Sequence, residues 1–413
     1  MRSKDTLFLY TFDYPCDKTA LEQYVNTELN AIHSVYKKVY IFPISYKDVG
    51  FDIPKNVTVV DISLYSKTNL ISKILFLIQS ILQTITEGVK SKNKDFFKRA
   101  LIKVMFFYSS VQLADNLNNF IKVNRIDNTK VLHFSYWFSS WVLSLSILKR
   151  KGKIKNFYSR AHQGDVYFDN EMFHTYFHHF KVKHVTKVFA ISKHGTDFLQ
   201  TKFSKFKNRF ETAYLGVTNN FLNPVSEINK PLHIVSCSKI IYHKRNHLIC
   251  EVLQAIDFPV KWTHYGFLDG GYDLYNKAFE KLKENKFVEI NFRGLQPNER
   301  ILNDYKNIPI DLFFSTSEIE GLSFAMIEAL SFGVPILATD INGTKEICNE
   351  ITGHLMPLNF ELSEALNFIK TIRQNKPNSK LRDACRNYFI ENFMAETNFL
   401  KFHEKLIGAE NDN

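Results

Sequence analysis

The chain has few cysteines and no pattern among them. Cys16, Cys237, Cys250, Cys348 and Cys385 are scattered, odd in number, and form no Cys-x-x-Cys pair. They give neither a disulfide framework nor a zinc site, and a reducing cytoplasm is the expected setting. No run of about 18 uncharged apolar residues is present, so a membrane-spanning helix is not expected. The apolar stretch that follows the first six residues is too short for the core of a secretion signal and reads as a first strand. Low-complexity and Gly-X-Y tracts are absent, which removes fibres and extended disorder. Gly-x-Gly-x-x-Gly and the P-loop are absent too, so classical dinucleotide and kinase readings fall away. No Asp-x-Asp occurs, the usual metal–diphosphate clamp.

What remains is a folded, multidomain composition. The chain has 413 residues, 45% hydrophobic and 23% charged, too long for one ordinary domain. The net charge of +11 is unevenly spread: residues 1–217 carry 32 Lys+Arg against 17 Asp+Glu, and the rest carry 21 against 25. A strongly basic half thus precedes a mildly acidic one. The sharpest basic window, residues 90–103, holds six basic residues and one acid, interleaved with Phe96, Phe97, Leu101 and Ile102. Just before it, residues 71–82 form an apolar stretch read as too short to span. Basic and apolar residues together suit an anionic membrane surface. A solvated basic helix packed on its apolar side fits as well. Non-specific attraction of nucleic acid is the weakest reading, and no specific nucleic-acid partner is expected.

Short β-rich runs alternate with helical patterns throughout, which predicts parallel sheets covered by helices. Strands are expected over 6–12, 39–43, 57–62, 131–134, 155–161 and 187–191, then over 233–237, 260–265, 288–293, 310–315 and 335–338. Helices are expected over 20–36, 69–86, 96–123 and 137–149, then over 244–256, 273–284, 297–307, 322–332 and 363–374. A polar, irregular stretch at 216–230 coincides with the change of charge. The expectation is two open α/β domains, 1–217 and 218–394, with a cleft between them and a last segment, 395–413. Ligands of such sheets bind beyond the carboxyl ends of the strands.

The most informative segment runs from Asp311 to Ala338: strand, polar loop with Gly321, helix, Gly333, Pro335, next strand. A glycine before a helix lets a ligand approach bare backbone amides, and the helix dipole favours a phosphate there. Glu320 sits in the loop and Glu328 two turns into the helix. Carboxylates accept hydrogen bonds from hydroxyl pairs, so one can hold a sugar at the phosphate end and the other a ribose deeper in. Taken singly, each glutamate is an ordinary surface residue or cap.

Glu320 and Glu328 within Ser-x-x-Glu-Gly…Ile-Glu-Ala-Leu-Ser-x-Gly-x-Pro resemble the retaining nucleotide-sugar glycosyltransferases of family 4, including bacterial exopolysaccharide, O-antigen and capsule enzymes. The resemblance implies the GT-B fold: two Rossmann-like domains, with the C-terminal helix crossing back to the first. Asp340-Ile-Asn-Gly-Thr-Lys-Glu346 is similar to the family's Gly-Gly-x-x-Glu, with Asn342 at the first glycine. His264-Tyr-Gly266 resembles its glycine turn and Phe292-Arg293-Gly294 its Phe-x-Gly, which puts Gly266, Arg293 and Gly294 near the nucleotide base. Lys239 and Lys244 stand five apart where the family holds the donor diphosphate with an Arg and a Lys. Lysine at the first position keeps the charge and loses the bidentate fork. The amides of Gly321, Leu322 and Ser323 join them at the diphosphate, Glu328 binds ribose, and Glu320 contacts the donor sugar. In the first domain Arg160-Ala-His162-x-x-Asp165-x-Tyr167 resembles the same enzymes, with His162 aimed at the donor sugar and Arg160 and Asp165 on the acceptor side.

The implied activity is transfer of a hexose-type sugar, with retention, from a UDP- or GDP-linked donor to a lipid-linked oligosaccharide or lipopolysaccharide. No cofactor or metal is called for, and the implied location is the inner face of the cytoplasmic membrane. His174 and His178, four apart with His179 and His184 nearby, have spacing that can hold zinc, but lack the adjacent Glu of such motifs. A protein or soluble-sugar acceptor, or a non-catalytic scaffold of the same fold, are the competing readings.

Overall fold

The computed structural model describes residues 5–14, 20–46, 53–67, 69–91, 100–168 and 176–411. The chain divides into two compact units, Met1–Ala213 with Phe399–Asn413, and Tyr214–Asn398.

The first unit is built on seven strands: β1 (Thr6–Asp13), β2 (Lys38–Ser45), β3 (Val57–Val59), β4 (Val131–Ser135), β5 (Tyr158–Ala161), β6 (Lys187–Ala190) and β7 (Phe210–Thr212). Their order is β3-β2-β1-β4-β5-β6-β7, parallel throughout. Strands covered on both faces must be apolar on both faces, and β1 buries Leu7, Phe8, Leu9 and Tyr10 consecutively. The helices are α1 (Ala20–Ile32), α2 (Leu70–Ser91), α3 (Ala100–Val123), α4 (Ser140–Arg150), α5 (Gln163–Val166), α6 (His178–His184) and α7 (Lys193–Lys202). Ser192 starts α7 by accepting the Gly195 N–H at 3.0 Å. The sequence pattern missed β7, α6 and α7. Phe210-Glu-Thr is too short to show a period, and α6 carries five charged or ionisable side chains in seven residues.

The second unit has β8 (Leu232–Cys237), β9 (Val260–Tyr265), β10 (Val288–Gly294), β11 (Leu312–Ser315), β12 (Ile336–Thr339) and β13 (Gly353–Met356). Their order, β10-β9-β8-β11-β12-β13, is the doubly wound Rossmann order. The helices are α8 (Asn246–Gln254), α9 (Asp273–Leu282), α10 (Asn298–Asn307), α11 (Phe324–Ser331), α12 (Leu362–Gln374) and α13 (Ser379–Phe393). Residues 214–217 belong to this unit: Val217 pairs with Met394, and its N–H reaches the Phe393 carbonyl at 3.0 Å.

Phe389, Phe393, Phe399 and Phe402, roughly at helical spacing near the C-terminus, are split between the units. α13 ends at Phe393, and α14 (Ala395–Asn411) follows after a single extended residue, Met394. Phe389 and Phe393 are buried in the second unit; Phe399 and Phe402 are buried in the first. α14 is fixed in the first unit by a buried charge cluster. Arg160 makes a two-pronged ion pair with Glu28 of α1, the second bond being 3.1 Å. His403 adds a bond to Glu28 at 2.8 Å and meets the Tyr36 hydroxyl at 2.7 Å. Burial raises the Glu28 carboxyl, but Arg160 and His403 outweigh it and hold the group below its ordinary value. The rings of Phe134, Tyr136 and Phe402 enclose the guanidinium.

Removing one member of such a pair strands a buried charge. Glu28→Ala is therefore expected to lower stability by about 3–5 kcal/mol in chemical denaturation. Lys193→Ala, at an exposed ion pair with Asp197, should stay within about 0.5 kcal/mol of wild type.

Candidate active site

In an open parallel sheet the loops that leave the two strands flanking the order reversal diverge, opening a crevice at their carboxyl ends. In the second unit those strands are β8 and β11. The loop after β8 carries Lys239 and Lys244; the loop after β11 carries Glu320 and leads into α11. The two loops are joined by backbone and side chain. Glu318 N–H donates to the His243 carbonyl at 2.9 Å, and the Thr316 hydroxyl donates to the Arg245 carbonyl at 2.9 Å. Arg245 returns a bond from Nε to the Thr316 carbonyl at 2.8 Å. Lys244 Nζ then forms an ion pair with Glu320 Oε1, and the Ser317 hydroxyl donates to the same oxygen at 3.0 Å. Glu320 is buried, and Lys244 is 19% exposed at its side chain, so this ammonium remains reachable.

Gly321 and Leu322 are buried, and Ser323 is the N-cap residue of α11 without using its side chain as a cap. The first turn of a helix points amide N–H groups out of its end, where an anion is favoured. Lys239 is not drawn into this cluster. It is 56% exposed and pairs with Asp269 at 3.1 Å on the loop after β9.

Glu328 lies inside α11 and is buried, and Asn298 Nδ2 donates to it at 2.6 Å. Burial pushes its carboxyl up to about 7, partly offset by Asn298. Asn298 follows Pro297, which with Asn291, Phe292, Arg293 and Arg300 lines a hollow of about 540 Å³. Gly266 has φ 141°, and a Cβ there would sit 1.8 Å from the Ser238 carbonyl oxygen, so only glycine lets the β8 and β9 loops approach. His264 supports that turn, touching Ser236 Oγ at 2.8 Å and the Ser238 carbonyl at 3.1 Å, with its ring stacked on Phe292. Gly294 has φ 67° and open space around it. Asn342 adopts φ 41°, a conformation asparagine tolerates better than most residues, which explains how it replaces glycine.

The first unit corrects part of the sequence reading. Arg160 is fully buried in its pair with Glu28 and cannot touch an acceptor. Asp165 is buried as well and accepts the N–H groups of His162 and Phe138, each at 3.1 Å. Burial pushes its carboxyl up to about 6. Asp165 holds the backbone at His162, Arg160 is committed to Glu28, and neither faces solvent. His162 is buried beneath Trp137, ring centroids 4.0 Å apart, with Nε2 3.1 Å from the Tyr136 carbonyl. A carbonyl only accepts, so Nε2 carries the proton. Burial, and then Arg160, push its pKa down to about 3, so the ring is neutral at physiological pH.

Two further expectations need correction. Lys103 is buried and faces the Tyr176 ring, so it is no part of a solvent-facing basic strip; residues 92–99 and His174 lie outside the described residues. His178 is buried and stacked on Phe168 at 3.8 Å. Among the described residues no group of three or more His, Cys, Asp or Glu gathers as a metal site, and Cys237, Cys250, Cys348 and Cys385 are free thiols. Three supporting residues escaped the sequence reading. Ser317 was visible as the serine of Ser-x-x-Glu. Asn298 and Trp137 gave no signal, because each is far in sequence from the residue it supports.

Known proteins share the two-unit architecture. Residues 220–391 match the family model "Glycosyl transferases group 1". The matched stretch lies within the second unit. A stretch of 94 residues is 32% identical to the UDP-Gal:alpha-D-GlcNAc-diphosphoundecaprenol alpha-1,3-galactosyltransferase of Escherichia coli. That match covers 22% of this chain and 24% of the relative's length. Solved structures align over almost the whole chain. The lipopolysaccharide outer core galactosyltransferase WaaB in apo form has TM-score 0.63 and 14% identity, over 96% of this chain and 98% of its own. TarM has TM-score 0.67 and 15% identity, over 98% of each. HepE of Anabaena, solved with UDP-glucose, has TM-score 0.62 and 13% identity, over 97% of this chain and 99% of its own. The two units have the two-domain α/β GT-B fold.

The buried Glu328 makes a pH prediction. Between its ordinary value and about 7 the folded chain keeps a proton that the unfolded chain has released, so stability falls as pH rises across that interval. Urea unfolding from pH 5 to pH 8 should cost wild type up to about 3 kcal/mol more than Glu328→Gln. Parallel profiles would show that Glu328 ionises freely.

Proposed function

We propose that the protein is a retaining hexosyltransferase that moves a sugar from a UDP- or GDP-linked donor to a lipid-linked glycan or lipopolysaccharide in bacterial surface polysaccharide synthesis. The observation that carries this reading is the Lys244–Glu320 pair held at the order reversal of the second sheet, beside the start of α11. The diphosphate lies against Lys244 and the first-turn amides beyond Gly321, with the more exposed Lys239 approaching from the side. The ribose hydroxyls bond to Glu328, and the base occupies the hollow near Arg293, Gly294 and the Gly266 turn. Glu320, steadied by Ser317, orients the donor sugar. The UDP-glucose complex of HepE and the undecaprenol-linked substrate named for the E. coli relative support these assignments of donor and acceptor class.

The reaction needs little from the protein beyond orientation and charge. The acceptor oxygen bonds to the anomeric carbon on the face the diphosphate leaves. The bond from that carbon to the β-phosphate oxygen breaks, and the acceptor proton passes to the departing oxygen. Lys244 and the helix amides stabilise charge growing on the diphosphate. The site requires no metal, and the acceptor side lies at the inner face of the cytoplasmic membrane.

Turnover with a panel of UDP- and GDP-sugars and a polyprenyl-diphosphate-linked acceptor tests this. One donor should be used, EDTA should leave the rate unchanged, and Lys244→Ala should lower it about 100-fold or more. Binding of a donor with no transfer to any lipid-linked acceptor, but transfer to a protein or soluble sugar, would reassign the acceptor. Binding without transfer to anything would make the protein a scaffold.

A further inference from the structure

Helix α2 is inside out. An ordinary surface helix buries its apolar stripe and shows its polar face to water. α2 buries Ser80, Thr84 and Glu87, and turns outward the aliphatic side chains from Leu70 to Val89, which are 43–72% exposed. Three inward polar side chains have partners, while Gln79 Nε2 is buried without one among the described residues. Ser80 and Thr84 donate to the carbonyls one turn back, at 2.6 and 2.8 Å, and Glu87 accepts the His179 N–H at 2.9 Å. Gly88 continues the same row, and Phe76, one turn before Ser80, packs against the core and on Tyr108 of α3. The outward face is continued on α3 by Leu101, Ile102 and Met105, each at least 50% exposed. An exposed apolar surface of this length is not a feature of a chain surrounded only by water.

We infer that this face of α2 lies in the plane of a lipid bilayer, with its aliphatic side chains among the acyl chains. The inference deepens the reading above, on whose lipid-linked acceptor it rests. Composition selects the occupant. Protein interfaces are enriched in Tyr, Trp and Arg and carry a polar rim. The outward face of α2 has only Leu, Ile and Val at its centre, represented by Ile74, Leu75, Ile78, Ile81 and Leu82. Charge agrees: exposed Lys67 and Lys73 stand at the start of the helix, and the sequence that follows it is rich in lysine and arginine. Basic residues bracketing an aliphatic face match an anionic headgroup layer over hydrocarbon.

The sequence reading treated this segment as too short to cross a membrane; the helix is long and apolar enough to do so. It does not cross, because its other face is committed to the first unit. Besides Glu87 and His179, Arg150 donates to Gln83 at 3.3 Å. A spanning helix would have to give up these partners and expose Glu87 to hydrocarbon. An in-plane helix keeps them and immerses its outer side chains by about 5–10 Å.

Vesicle flotation of the full chain tests this without any sugar substrate, so it fails or succeeds independently of the transfer assay. Wild type should float with phosphatidylcholine vesicles containing phosphatidylglycerol and remain bound in high salt, which screens purely electrostatic adsorption. The triple variant Ile74→Gln, Ile78→Gln, Leu82→Gln replaces exposed side chains and should unfold at the wild-type temperature, yet partition roughly 100-fold more weakly. In Ile78→Trp, the new fluorophore should shift to the blue on vesicles and be quenched by brominated acyl chains. Four results would overturn the inference: no flotation, complete release by salt, retention through alkaline carbonate extraction as for a spanning helix, or a wild-type dimer that the triple variant makes monomeric without any vesicle binding.

Discussion

The site in the second unit depends on one ion pair. At the order reversal between β8 and β11 the backbone of each loop turns away from the other. A ligand platform exists there only if something holds the two loops in register. Hydrogen bonds between residues 243–245 and 316–318 do part of this, and Lys244 with Glu320 completes it. The same two side chains are the groups a sugar diphosphate would address. Lys244 is thus kept in place without a ligand by a partner that can share it, and the ammonium needs little reorganisation when an anion arrives. The close approach forced at Gly266 and the support of Glu328 by Asn298 extend the platform towards the hollow beside Arg293.

The first unit uses charge differently. Arg160 and Asp165 belong to the most family-like string in that half, yet both are spent internally. Arg160, with Glu28 and His403, joins β5, α1 and α14. Asp165 fixes the turn that presents His162. Their identities are demanded by packing around the histidine, and a short motif can resemble an active site because it builds the frame of one. Buried ion pairs are weak sources of net stability but costly to break. The arrangement therefore makes the seating of α14 specific more than it makes the unit strong.

Much of this was legible in the sequence, because parallel strands buried on both faces leave continuous apolar runs. β1, β9 and β11 were found within two residues at each end, and the Glu320–Glu328 spacing located the loop and helix of the site. The rest was hidden for identifiable reasons. β7 and β13 are too short to show a period. Asn298 is thirty residues from the glutamate it supports. The burial of Arg160 depends on partners from both ends of the chain. The inverted exposure of α2 is invisible to any reading in which apolar means inside, since periodicity reports that a helix has two faces and not which one is covered.

The central claim is that the start of α11 and Lys244 form a donor diphosphate site. A crystal structure of the protein soaked with UDP tests it most directly. The account predicts the diphosphate against Lys244 and the amides beyond Gly321, with the ribose hydroxyls on Glu328. Well-ordered UDP bound elsewhere, with the Lys244–Glu320 pair left undisturbed and no nucleotide beside α11, would contradict it.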